Sequence, residues 1–199
     1  ADKDTKIKGL IEKRLETTPK CSYSDFQKLW QDKDNYGPII ASLIYIGCLH
    51  NRIPMEALKI TWGSLRNTIR ETANKTTKPN FVEIYRQLAT EIFDYKFCSS
   101  KFNFLVDYYQ YGIANCEGGT LLSFILAKKY PYPGFSKIVA VTVPRHIKIC
   151  MMDEKQPAHE FETVAQGGII MPLENFGDIE YGIYSSKLLG LYVFLNTLR

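Results

Sequence analysis

The run Asn115-Cys-Glu-Gly-Gly-Thr-Leu-Leu122 constrains the fold of this chain more than any other stretch. A polar, glycine-containing segment ends at Cys116, and Leu121, Leu122, Phe124, Ile125, Leu126 and Ala127 follow at once. The pattern predicts a loop entering a buried helix, with Cys116 in the first turn. Unpaired N–H groups and the positive end of the helix dipole favour a thiolate over a thiol at that position. Gln110 lies six residues upstream (116 − 110 = 6). A loop bending over the cysteine would set the Gln110 amide beside the Cys116 N–H, and the two would form an oxyanion hole. A buried structural cysteine at a helix start is the plainer reading, because free cysteine is among the most buried residue types.

The rest of the chain bears on that choice. Its 199 residues are 45% hydrophobic, enough for one full core, and no segment is long and apolar enough to span a membrane. The net charge of +4 is mild, and Lys and Arg alternate with acids rather than forming a stripe. A nucleic-acid partner is therefore not expected. Five cysteines (Cys21, Cys48, Cys98, Cys116, Cys150) are an odd number without C-x-x-C spacing, which argues against a zinc knuckle and a full disulfide framework.

Organisation along the chain predicts an α+β protein: a helical N-terminal half and a small antiparallel sheet packed on the Cys116 helix. Residues 1–20 form a polar helix or loose arm. Helical spacing follows over Tyr23–Trp30, Ile39–Leu49 and Met55–Thr72, and Asn74–Asn80 is a polar linker. The expected divisions are a helical region over 1–80, a core over 81–183 and a terminal helix over 184–199. Phe81–Phe97 reads as helix, and Tyr130-Pro-Tyr-Pro-Gly134 breaks the pattern. Strands are expected at Ile138–Val143, His146–Met152 and Phe161–Ala165. Tyr184–Arg199 is helical again, with Leu188 and Leu191 on one side. Helices at the two termini are candidate partner surfaces.

A thiolate nucleophile needs a base beside it, and the base needs a third group to hold its tautomer. The histidines are His50, His146 and His159. His50 follows an apolar helix, as a capping residue would. His146 shares a strand face with Lys148 and Cys150, away from the more apolar face of Ile147, Ile149 and Met151. After a polar turn over Asp153–Pro157, one hairpin register sets His146 opposite Glu162, Ile147 opposite Phe161 and Lys148 opposite Glu160. That register matches an imidazole with a carboxylate, two apolar side chains, and an ion pair. A shift by two residues loses the last two agreements. Glu162 is thus the expected orienting acid and Glu160 the fallback.

A cysteine at a helix start, a histidine on a strand and an acid on the antiparallel neighbour is the order found in the transglutaminase-like cysteine enzymes. The chain resembles that superfamily, most of all its small bacterial peptidase-like branch, which shares a papain-like Cys-His-acid order. The likeness rests on Asn115-Cys-Glu-Gly-Gly-Thr-Leu-Leu122, Val143-Pro-Arg-His-Ile-Lys-Ile149, Phe161-Glu-Thr163 with Gly167-Gly168, and the upstream helix Leu88-Ala-Thr-Glu-Ile-Phe93. It implies Cys116 as nucleophile, His146 as base and Glu162 as orienting acid. No tryptophan stands directly before Cys116 and His146 follows it by only 30 residues (146 − 116 = 30), features that under the resemblance favour hydrolysis over cross-linking.

The expected function is thiol-dependent acyl transfer on an amide bond of a protein or peptide, as a cysteine peptidase or glutamine deamidase and less so a transglutaminase. Neither a metal nor an organic cofactor is called for. Arg145 and Lys148 flank the base and would favour an acidic substrate. The alternative is a protein-binding module that keeps a transglutaminase-like fold without catalysis.

Overall fold

The structure is a computed structural model that describes residues 21–49, 51–92, 96–97, 105, 113–135, 137–143, 146–153, 156–163, 168–172, 182–185 and 188–191. The N-terminal arm, His50, Cys98, Gln110, Arg145 and residues 192–199 lie outside the described residues.

The architecture is α+β. Helix α1 (Tyr23–Gln31) opens on a reciprocal Ser22–Asp25 capping box and buries Phe26 and Leu29. A turn closed by Gly37, at φ +74, leads into α2 (Gly37–Leu49), whose Pro38 is at home in a first turn. Helix α2 is apolar nearly all round, so it runs through the core rather than over it. Helix α3 (Met55–Lys75) turns Leu58, Trp62, Leu65 and Ile69 inward. Asn80 caps α4 (Phe81–Gln87), which continues as a π-helical turn over Leu88–Ile92. Helix α5 (Cys116–Lys129) is the expected Cys116 helix.

Two short strands, β1 (Lys96–Phe97) and β2 (Ile113–Ala114), pair in parallel just ahead of α5. The main sheet is antiparallel, with β3 (Lys137–Val143), β4 (His146–Asp153), β5 (Gln156–Glu162), β6 (Ile169–Pro172) and β7 (Gly182–Tyr184) in spatial order β6-β5-β4-β3-β7. Its inner face carries Ala140, Ile147, Ile149, Met151 and Phe161 into one core with the helices. Val139, Val141 and Cys150 form a second, smaller cluster. The core is continuous from Cys21 to Leu189, so the helices before residue 81 and the sheet after it share one interior. Phe161 joins the layers, its ring edge-on to Phe81 and Tyr85. Among the described residues no helix is long and apolar enough to cross a membrane.

Several expectations are corrected. The hairpin register is displaced by two residues, because Asp153 pairs with Gln156 and a bulge between Met151 and Met152 adds one more step. Ile149, not Ile147, therefore faces Phe161, and Cys150 faces Glu160. The bulge lies beside Pro157, which has no N–H to give to a regular ladder. The strand expected over Phe161–Ala165 instead occupies Gln156–Glu162. Lys96–Phe97 is strand rather than the end of a helix, and Tyr184 closes β7 against Ala140 rather than opening the last helix. Helix is present at 188–191, where Leu188 and Leu191 are exposed. Asn74 and Lys75 belong to α3, which shortens the polar linker.

Candidate active site

Each of the three expected catalytic side chains sits at the end of an element. Asn115 is the N-cap of α5, its Oδ1 accepting from the Gly118 N–H at 2.7 Å, and Cys116 is the first helical residue. His146 opens β4, the central strand of the sheet, where it pairs with Val143 of β3. Glu162 is the last residue of β5.

The three groups form a chain of contacts. His146 Nε2 lies 2.9 Å from Glu162 Oε2, and the two side chains are 30% and 16% exposed. The imidazole is also hydrogen-bonded to Cys116. The β4–β5 ladder begins only at Ile149; ahead of it, the Ile147 backbone is hydrogen-bonded to the Cys116 sulfur. This bond lowers the thiol pKa, as an N–H donor to a thiolate does. His146 and Glu162 are thus diagonal rather than opposite neighbours, which is within reach of long side chains across two strands.

The electrostatics separate Cys116 from the other thiols. Burial alone would push its pKa up, but the His146 hydrogen bond, the Ile147 backbone and the charge of His146 outweigh burial and the nearby Glu117, holding it below 9.0. His146 is raised from 6.5 to about 10 by its hydrogen bonds to Cys116 and Glu162, against the opposing effect of burial. Burial drives Cys48 and Cys150 to about 12 and lifts Cys21 as well. Of the four described cysteines, Cys116 alone moves toward the thiolate.

The expected Lys148–Glu160 ion pair forms, diagonally across β4 and β5 rather than between opposite positions. The Lys148 Nζ is 2.5 Å from Glu160 Oε1 and both side chains are largely buried, so the pair is part of the sheet. Glu160, the fallback acid, is held by the same contact.

Three supporting residues were not singled out from the sequence. The Tyr85 hydroxyl donates to the Thr163 carbonyl at 2.9 Å, fixing the chain directly after Glu162. Gly119, on the first turns of α5, packs against Thr163 so closely that a Cβ there would sit 2.3 Å from Thr163 Oγ1. Paired glycines inside a helical pattern are the sequence signal for such an approach. Tyr85 has no comparable signal, since its spacing is that of any core aromatic.

Compared with protein-family models, curated proteins and solved structures, the chain matches none.

Proposed function

We propose that this protein is a thiol-dependent acyl-transfer enzyme of transglutaminase-like type that hydrolyses an amide bond, with a peptide or protein as substrate. The observation that carries the reading is the contact chain from Cys116 through His146 to Glu162, built from three separate elements. A structural cysteine would need neither an imidazole beside it nor a carboxylate behind that imidazole.

The Cys116 thiolate attacks the carbonyl carbon, forming a C–S bond while the C=O electron pair moves to oxygen. The Cys116 N–H, in the first turn of α5, is placed to receive the oxyanion. Collapse breaks the C–N bond, and the His146 imidazolium gives its proton to the leaving amine. Neutral His146 then takes a proton from water, whose oxygen attacks the thioester and releases the acid and the thiolate. Glu162 keeps the ring oriented and stabilises its cationic form throughout. With a glutamine side chain as substrate the same steps release ammonia; with a lysine in place of water they give transamidation.

Limited iodoacetamide labelling at pH 6, read by peptide mass spectrometry, tests the pair. Selective alkylation of Cys116 is expected, because a thiolate reacts and a thiol does not. Equal, slow labelling of all the cysteines would overturn the enzyme reading in favour of a binding module.

A further inference from the structure

A second feature lies at the far end of α5, about 20 Å from Cys116 for a 14-residue helix. There α5, α3 and the α1–α2 turn enclose a cleft of about 930 Å³. Five cations line it: Lys33, Arg66, Arg70, Lys128 and Lys129, against one acid, Asp34. The described ion pairs involve none of the five. Their partners are neutral: Arg66 reaches Asn35 Oδ1 at 3.3 Å, Arg70 reaches Asn67 Oδ1 at 2.6 Å, and Lys128 donates to the Lys33 carbonyl at 2.7 Å. Five like charges gathered against a single carboxylate repel one another, and an anion would relieve that.

The cleft also offers ring faces. Trp30, Tyr36, Trp62 and Tyr130 line it. The Trp62 indole N–H is held by the Asn35 carbonyl at 2.8 Å, which fixes the ring, and the Arg66 guanidinium sits 6.0 Å from its centroid. Lys129 is placed similarly over Tyr130 at 5.7 Å. The volume is that of a small-molecule site, in the range of several hundred to ~1,000 Å³.

We infer that this cleft binds an organic polyanion carrying a planar ring, of the nucleoside-phosphate class: the cations take the phosphates and the tryptophan-lined wall takes the ring. The inference is independent of the chemistry at Cys116.

The chain has two tryptophans, and both line the cleft, so intrinsic fluorescence reports on it alone. ATP serves as the probe, titrated into the full chain at low salt. A saturable change in tryptophan emission is expected, with half-saturation below about 1 mM. Binding should weaken as salt rises, as expected for exposed charges. In the double variant Arg66→Ala/Arg70→Ala the affinity should fall at least about tenfold, equivalent to ~1.4 kcal/mol. Both arginines are exposed, so the variant should keep its melting temperature. No saturable change, or equal affinity in the double variant, would overturn the site. Tripolyphosphate competing as well as ATP would overturn the role given to the rings.

Discussion

Replacing His146 with alanine reads the Cys116 site most directly. The ring's pKa rises from 6.5 to about 10, with Cys116 the largest cause and Glu162 the next. The difference, 10 − 6.5 = 3.5, corresponds to on the order of 5 kcal/mol of interaction favouring the imidazolium. Solvent screens part of it, since the side chain is 30% exposed. Without the ring, Cys116 is left with burial and Glu117, which raise its pKa, against the Ile147 hydrogen bond, which lowers it. Burial is the largest of these, so the thiol should return to or above its ordinary 9.0. A thiol at that value is only ~0.1% ionised at pH 6. The rate of Cys116 alkylation by iodoacetamide, followed from pH 5 to pH 10, should therefore drop at least about tenfold at pH 6 in the variant. It should then climb about tenfold per pH unit until the thiol ionises. Circular dichroism melts establish that the variant is folded. Superimposable pH profiles in the two proteins would refute the pairing of Cys116 with His146.

The same pair sets a pH window for stability. His146, raised to about 10, contributes fully below 6.5 and loses its contribution as pH rises through about 10, while Cys116, lowered, contributes above 9.0 and loses its share as pH falls through its folded value. Just below 9.0 the two slopes oppose each other, so the stability gap between the wild type and His146→Ala should change little there and shrink as pH rises from 9.0 through about 10; a gap that grows with pH above 9.0 would contradict the ion pair. Gly119→Ala would gain ~0.5–1 kcal/mol in a free helix, but the 2.3 Å approach to Thr163 should reverse the sign, at a cost of ~1–3 kcal/mol, and slow Cys116 alkylation. A more stable Gly119→Ala protein in denaturant unfolding would show that α5 does not need to lie so near Thr163. Phe161→Ala, at a fully buried ring packed against Phe81 and Tyr85, should cost ~3–5 kcal/mol by the same assay, and a loss below ~1 kcal/mol would mean that the helices and sheet do not share this core.

Local chemistry made much of this protein legible in its sequence. An Asn-Cys step followed within a turn by a mainly apolar stretch has little alternative to a capped helix start, so Cys116 was placed without tertiary information. Alternation along His146–Met152 and the breaker at Pro144 likewise placed His146 at a strand end, and Glu162 emerged from its two-strand neighbourhood. Register was beyond reach: the Asp153–Gln156 pairing and the bulge beside Pro157 are backbone events, and they moved the pairing by two positions without separating His146 from Glu162, because diagonal side chains still meet. Strands β6 and β7 went unread, being too short for periodicity to register and defined by the partners they add to. The Lys148–Glu160 ion pair was legible in the sequence, and only the tertiary structure decided that it is largely buried in the sheet. The basic cleft is the clearest case. Lys33, Arg66, Arg70, Lys128 and Lys129 are scattered among acids along the chain, and folding collects them because three separate segments converge where α5 ends. Sequence thus determined which residues start and stop elements, which depends on neighbours a few positions away. Which charges and rings share a surface was decided by packing, which depends on neighbours nearly a hundred positions apart.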